Sequence, residues 1–266
     1  MQTGYDKIFQ KFESSDVWKE LCSQVFGEYL GQYSFTDTKQ IDFLVDKLNI
    51  TSKSRVLDLA CGLGGLSCYL ARISGCQIVG LDISSVAVKF ANQRAMLEGL
   101  KGRAVFRVGL LPELPFPSEY FDAIVSIDSI YGIPDKGQLF RECFRVLKPG
   151  GRIGFYTLYK RGDFSLIAAL NSRALYWFPL KSYNALLWQT GFRRILKIDM
   201  TAEFVQLARM WIRAISLKKR LLEKELGKDV TNGLLKGDIL VALKLAEAGL
   251  IGRAFFYGEK PVTGLW

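Results

Sequence analysis

Ten residues, Val56-Leu57-Asp58-Leu59-Ala60-Cys61-Gly62-Leu63-Gly64-Gly65, constrain this chain more than any other stretch. Val56, Leu57 and Leu59 suit a strand covered on both faces, as in a parallel sheet. Gly62, Gly64 and Gly65 let the backbone turn tightly and approach a ligand with no Cβ in the way. Leu66 to Ile73 continues as an apolar helix whose N-terminus points back at that ligand. Gln77 to Asp82 reads as a second strand ending in a carboxylate. Asp82 lies about 20 residues past the glycines, the spacing at which an acid reaches a ribose hydroxyl pair. Strand, glycine turn, helix, strand and acid make a nucleotide-binding half.

A nicotinamide-binding turn calls for G-x-G-x-x-G, and the third position here is Ser67. Asp58 lies in the first strand, just before the turn, where it repels a pyrophosphate and attracts a cation. S-adenosylmethionine carries a sulfonium and an ammonium and no phosphate, so the electrostatics favour it over NAD. At these residues the sequence resembles the class I S-adenosylmethionine-dependent methyltransferases, whose motif V-L-D-x-G-C-G-x-G-x is reproduced except at Ala60. Ala60 stands where the family has its first glycine, a mild change. A glycine turn of purely structural purpose is the plainer alternative.

Two further runs carry the resemblance. Gly109 to Phe116 looks like the family's G-D-x-x-x-L-P-F loop, which meets the adenine, with Leu110 at the carboxylate position. That departure leaves backbone contact and apolar packing for the ring. Arg145 to Gly151 reproduces R-V-L-K-P-G-G and reads as a structural turn between a helix and a strand. The resemblance implies an α/β fold: a Rossmann-like, seven-stranded, mostly parallel sheet with helices on both faces.

Hydrophobic residues are 49% of the chain and charged residues 23%, enough for a sizeable core and against disorder. The first residues form no secretory signal, and no apolar run approaches the roughly 18 residues of a membrane span. Cys22, Cys61, Cys68, Cys76 and Cys143 lack C-x-x-C spacing, which fits reduced thiols acting as small buried hydrophobes in a cytoplasmic protein. The sequence contains 0 histidines, which removes Ser-His-Asp and Cys-His hydrolysis and histidine metal sites together, and no metal is expected. A net charge of +10 favours an anionic partner without choosing among substrate, membrane and nucleic acid.

The chain divides into an N-terminal helical cap and lid over 1–50, a cofactor-binding core over 51–160, and a remainder over 161–266. Phe9 to Phe26 recur at roughly helical spacing, and Ile41 to Ile50 form a second amphipathic helix. Between them Tyr29 and Tyr33 match the aromatic lid of the resembling family, Tyr33-Ser34 being better placed; packing the cap against the sheet is their other use. Ser84 or Ser85 caps the helix after Asp82. Ala104–Val108, Phe121–Asp128 and Arg152–Thr157 read as strands three to five. Arg161 to Tyr183 is an aromatic and basic insertion. Arg194–Asp199 and Arg253–Gly258 read as the last two strands. About fifty residues between them form a helical substrate cap. Its polar side carries Arg209, Arg213, Lys218, Lys219, Arg220 and Lys224, a solvated face or a peripheral membrane contact.

The resemblance implies a cofactor site of Tyr33, Ser34, Asp58, Ala60, Gly62, Gly64, Asp82, Ile83, Leu110 and Ile127. Ligands in open α/β sheets bind beyond the carboxyl ends of the strands, so the transferable methyl belongs near Ile127 to Tyr131. Asp128, Tyr131 and Glu28 are the candidate catalytic residues, with Tyr33 a further candidate base or orienter. Asp128 either attracts an amine or caps the exit loop through backbone hydrogen bonds, and Tyr131 orients the acceptor by hydroxyl or ring face. Asp128-Ser129-Ile130-Tyr131 is not the N-P-P-Y run of nucleic-acid amino-methyltransferases, so no specific nucleic acid is expected. The implied reaction is methyl transfer to nitrogen or carbon of a small molecule, an amine, a phospho-base or an isoprenoid-like compound, either anionic or hydrophobic. A non-catalytic cofactor-binding scaffold and an NAD-dependent oxidoreductase are the competing readings.

Overall fold

Val56 and Leu57 are neighbours in sequence and belong to opposite faces of one sheet. Side chains alternate along a strand. In the computed structural model Val56, Ile78, Ala123, Val125 and Phe255 join one apolar cluster, while Leu57, Leu59, Ile124, Ile153 and Phe256 join another. The structure describes residues 6–31, 33–162 and 177–262, Asp238 by its backbone alone.

The sheet comprises β1 (Arg55–Leu59), β2 (Gln77–Asp82), β3 (Ala104–Val108), β4 (Phe121–Ile127), β5 (Leu147–Lys160), β6 (Arg193–Asp199) and β7 (Ile251–Glu259). Their spatial order is β3-β2-β1-β4-β5-β7-β6. β1 to β5 run parallel, with Val56 opposite Ile78 on one side and Ala123 on the other. β7 is antiparallel to both of its neighbours. The chain winds one way from β1 to β3 and the other way from β4, so a crevice opens at the carboxyl ends of β1 and β4.

Helices α1 (Asp6–Ser14) and α2 (Asp16–Phe26) precede α3 (Thr38–Leu48), α4 (Gly65–Ser74) and α5 (Ser85–Leu97). The last three cover the first face through Leu44, Leu48, Leu70, Ala91 and Ala95. On the second face α6 (Lys136–Val146) and α7 (Leu180–Thr190) bring Leu139, Phe140, Cys143, Tyr183 and Leu187. The result is the Rossmann-like α/β sandwich that the glycine turn implied. The single run expected from Phe9 to Phe26 is two helices, because Ser15 accepts the Trp18 N–H at 3.0 Å and caps the second one.

Between β6 and β7 lie α8 (Thr201–Leu217), α9 (Lys219–Leu226), α10 (Lys228–Lys236) and α11 (Asp238–Glu247). The expected basic helix is interrupted at Lys218 and again at Gly227, whose φ of +88° suits glycine. Phe204, Leu207, Trp211, Leu222 and Leu226 from this cap share a core with Phe12, Trp18, Leu21 and Phe26 of α1 and α2. The two sequence-distant caps are therefore one lobe, seated over the crevice. All five cysteines are buried and free. Among the described residues no helix is long and apolar enough to cross a membrane.

Candidate active site

β1 ends at Leu59, and the chain turns left-handed at Ala60 with φ +59°. Gly62 follows with φ +52°, and a Cβ built on it meets nothing within 4 Å. That open side of the loop is where a ligand can approach. Gly64 and Gly65 lack side chains for different reasons. A Cβ on Gly64 would lie 2.6 Å from Ala91 Cβ, and one on Gly65 would lie 1.9 Å from the Leu30 carbonyl oxygen. Gly64 lets α4 pack against α5, and Gly65 lets the linker before α3 cross the start of α4.

Asp82, at the end of β2, accepts the Gly62 N–H at 2.8 Å and the Ser84 N–H at 2.9 Å. Ser84 caps α5, as one of the two expected serines, and its hydroxyl donates to Asp6 of α1 at 2.5 Å. Burial raises the Asp82 carboxyl above the ordinary range, against the pull of those backbone donors. Asp58 accepts the Ser67 hydroxyl at 2.7 Å. Burial pushes its carboxyl up to about 7, opposed by Ser67 and assisted by the charge of Asp82.

On the other side of the crevice β4 delivers Ile127, and Asp128 adopts φ +49°. Arg253, near the start of β7 and 0% exposed, donates to both Asp128 oxygens, at 2.8 and 3.0 Å. The Phe35 N–H donates to the same carboxylate at 2.9 Å. Arg253 also donates to Gln40 Oε1 at 2.8 Å and to the Thr36 hydroxyl, with its guanidinium over the Tyr156 ring. One buried cation thus ties the loop after β4, the linker before α3 and β7 together. The Tyr131 and Ile133 carbonyls accept from Lys136 Nζ, which burial lowers to about 8. The Tyr131 ring meets Trp177 edge-on with centroids 5.5 Å apart.

These groups surround a cavity of about 560 Å³. Tyr33, Ser34, Asp58, Ala60, Gly62, Asp82, Ile83, Ile127, Asp128 and Tyr131 all line it, so most of the expected site residues converge. Three expected site residues lie outside the described lining. Glu28 pairs with Arg72 at 2.6 Å and is not among the described lining residues. Leu110 is 63% exposed and likewise outside the described lining, because its loop turns the side chain to solvent. Gly64 serves helix packing and also lies outside that lining. Tyr29 donates to Glu13 at 2.9 Å, whereas Tyr33 faces the cavity. In the expected insertion, Tyr176 lies outside the described residues, while Trp177 lines the cavity.

Sequence reasoning missed Arg253 and the cavity walls supplied by Phe35, Trp211, Val241 and Ala242. A signal for Arg253 did exist, since an arginine inside the apolar run Ile251 to Phe256 demands a partner when buried. Which partner is a tertiary matter. The Arg145 to Gly151 run is structural but is not the separate turn expected before a strand at Arg152. β5 begins at Leu147, directly after α6, with its register against β4 shifting between Phe121 and Ala123. Arg145 donates to the Leu114 and Phe116 carbonyls at 2.9 and 2.8 Å, pinning the loop after β3.

Residues 57–155, from inside β1 to the middle of β5, match the family model described as a methyltransferase domain. Over these residues the chain is similar to methyltransferase domains. Phosphoethanolamine N-methyltransferase 1 of Triticum aestivum is 32% identical over 236 residues, covering 85% of this chain and 43% of that protein. The chain spans less than half the length of the curated relatives first matched. Among solved structures, Haemonchus contortus phosphoethanolamine N-methyltransferase 2, in complex with phosphomonomethylethanolamine and S-adenosylhomocysteine, superposes with a TM-score of 0.80 at 23% identity. That match covers 96% of this chain and 60% of the other. Geranyl diphosphate C-methyltransferase from Streptomyces coelicolor A3(2) gives a TM-score of 0.71 at 18% identity, covering 92% and 83%. The chain therefore shares its fold with enzymes whose named substrates differ widely.

Proposed function

We propose that this chain transfers a methyl group from S-adenosylmethionine to a nitrogen or carbon of a small molecule. The observation that carries the reading is one cavity where the open Gly62 turn, two buried aspartates and the exit of β4 meet. Bound there, S-adenosylmethionine would supply a methyl group on a sulfonium that leaves as a neutral thioether. Asp82, already fixed by two backbone N–H groups, presents its carboxylate at the height of a ribose hydroxyl pair. Ile83 offers an apolar surface beside it for the adenine. Asp58, beneath the turn, favours a cationic ligand and disfavours the pyrophosphate of NAD. Tyr33 and Ser34 cover the site from the linker, which Arg253 and Asp128 hold in place.

Asp128 is assigned a positioning role. Both of its oxygens accept from Arg253 and one also from the Phe35 N–H, so the expected capping of the exit loop becomes a tie between loop and linker. Tyr131 and Ile127 remain the groups at the transfer point. Alignment of donor and acceptor there, with water excluded by the cap, can supply about 7–11 kcal/mol of barrier reduction without a general base. A nitrogen acceptor arrives unprotonated, its lone pair forms the new bond, and a proton leaves to solvent after transfer.

Calorimetric titration with S-adenosylhomocysteine, and NAD in parallel, tests this reading. Micromolar binding of the first, lost in Asp82→Ala, is expected; binding of NAD alone would sink it. Transfer of labelled methyl to any acceptor separates an enzyme from a scaffold.

The basic cap supports a second, smaller reading, peripheral contact with an anionic membrane. Met210, Leu217 and Leu221 are 45, 78 and 54% exposed, interleaved with Arg213, Arg220 and Lys224 along α8 and α9. Apolar and cationic side chains on one helical face suit an interface. Salt-sensitive sedimentation with phosphatidylserine vesicles, absent with phosphatidylcholine, is the expected result; no difference between them removes this reading. Reduced cysteines fit a cytoplasmic setting.

A further inference from the structure

We propose that the acceptor is a neutral, largely apolar molecule and that this site does not take a phosphorylated one. The inference rests on the methyl-transfer reading and narrows it to a substrate class. The charged residues among the described lining are three aspartates, Asp58, Asp82 and Asp128, and that lining includes no lysine or arginine. The wall away from the glycine turn is made of Leu158, Trp177, Trp211, Val241, Ala242 and Leu245.

The nearby buried cations are committed elsewhere. Arg253 is divided among Asp128, Gln40 and Thr36. Lys136 donates to the Tyr131 and Ile133 carbonyls and sits over the Phe178 ring. A phosphate monoester entering this cavity would lose its water without gaining a counterion from the described lining. A diphosphate could recruit a divalent cation, yet among the described residues no group of three or more acidic or thiol side chains is placed to hold one. An uncharged hydrocarbon body suffers neither penalty. It gains from burial against the aromatic and aliphatic wall in proportion to its apolar area.

The net charge of +10 does not conflict with this, since its exposed cations, such as Arg213, Arg220 and Lys224, lie on the outer face of the cap. The sequence of residues 163–176, outside the described set, holds one cation, Arg173. The test must therefore include it. The inference also separates this chain from what its relatives' names suggest, because those names include phosphoethanolamine.

The experiment uses the whole chain saturated with S-adenosylhomocysteine and titrates it with farnesol, phosphoethanolamine and geranyl diphosphate, read by calorimetry and by tryptophan fluorescence. Farnesol is expected to bind in the micromolar range and to perturb the tryptophans of the wall, and phosphoethanolamine is expected to be silent at millimolar concentration. Tighter binding of either phosphorylated compound than of farnesol overturns the proposal, and loss of that binding in Arg173→Ala would identify the cation responsible. Val241→Lys places a charge at the partly exposed edge of the wall, where the chain can tolerate it. It should weaken farnesol by about tenfold or more through an unpaired charge, with S-adenosylhomocysteine affinity unchanged. Undiminished farnesol binding in that variant also overturns the proposal. If S-adenosylhomocysteine itself fails to bind, the methyl-transfer reading falls alone, and farnesol binding in its absence still supports an apolar-ligand cavity.

Discussion

Ala60 holds a backbone conformation that few side chains adopt. Its φ of +59° is that of the glycine found there in the resembling family, so the substitution is less mild than the motif implied. Left-handed geometry costs an alanine roughly 1–2 kcal/mol, and glycine returns about 0.4–1 kcal/mol of that to the unfolded chain's entropy. Ala60→Gly should therefore stabilise the protein slightly, by about 0.5–1 kcal/mol in urea denaturation; a loss of stability would contradict the strain argument. Asp58 is the second residue-scale case. A carboxyl raised to about 7 in the folded protein binds its proton more tightly than in the unfolded chain, where ordinary acidity applies. The folded state binds the extra proton, so stability from this group falls as pH climbs from about 4 to about 7. Asp58→Asn should match the parent in stability near pH 4 and exceed it at pH 8 by a few kcal/mol. The same variant should lose the rise in S-adenosylmethionine affinity that the parent shows between pH 6 and pH 8, because only the ionised carboxyl attracts the cation. Thermal melts and calorimetry across that range check both halves. That Asp58 belongs at the turn was legible in the sequence; its acidity was not, since burial and the approach of Asp82 depend on how β1 and β2 lie together.

At the scale of elements, β7 does more than close the sheet. Arg253 reaches from it to the loop after β4 and to the start of α3. Arg253→Ala would leave Asp128 buried at 3% side-chain exposure without its partner. Breaking a buried pair in this way costs about 3–5 kcal/mol, whereas removing both charges costs much less. The double variant Arg253→Met with Asp128→Asn should therefore recover part of the stability lost in Arg253→Ala. Urea denaturation of the set decides it, and an additive loss would mean the two groups act independently. The strands and the glycine turn were legible because their periods are local. The linker was less so: Tyr33 and Ser34 face the cavity as expected, while Tyr29 and Glu28, a few residues away, turn to Glu13 and Arg72.

Across the whole molecule, the helices at the two ends of the chain share one core. Trp18 of α2 is 0% exposed, stacked on Phe12 with centroids 4.2 Å apart and near Trp211 of α8 at 5.9 Å. Trp18→Ala should cost about 3–5 kcal/mol. Hydrogen exchange should quicken in α8 to α11 as well as in α1 and α2; protection retained in α8 to α11 would mean that the caps fold as separate units. Because Trp211 and Ala242 of this lobe line the cavity, the integrity of the acceptor wall depends on residues of α1 and α2, which precede the sheet.

The sequence by itself determined the nucleotide-binding half, the parallel core and most of the residues that meet at the turn, because glycine spacing, strand alternation and an acid at a strand end act over short stretches of chain. Only the tertiary structure decided what the charges do. Asp128 reads in the sequence as either a catalytic carboxylate or a loop cap, and the structure pairs it with Arg253, 125 residues away. A charge is reactive or inert according to what lies within a few ångströms, and separation along the chain does not encode that distance.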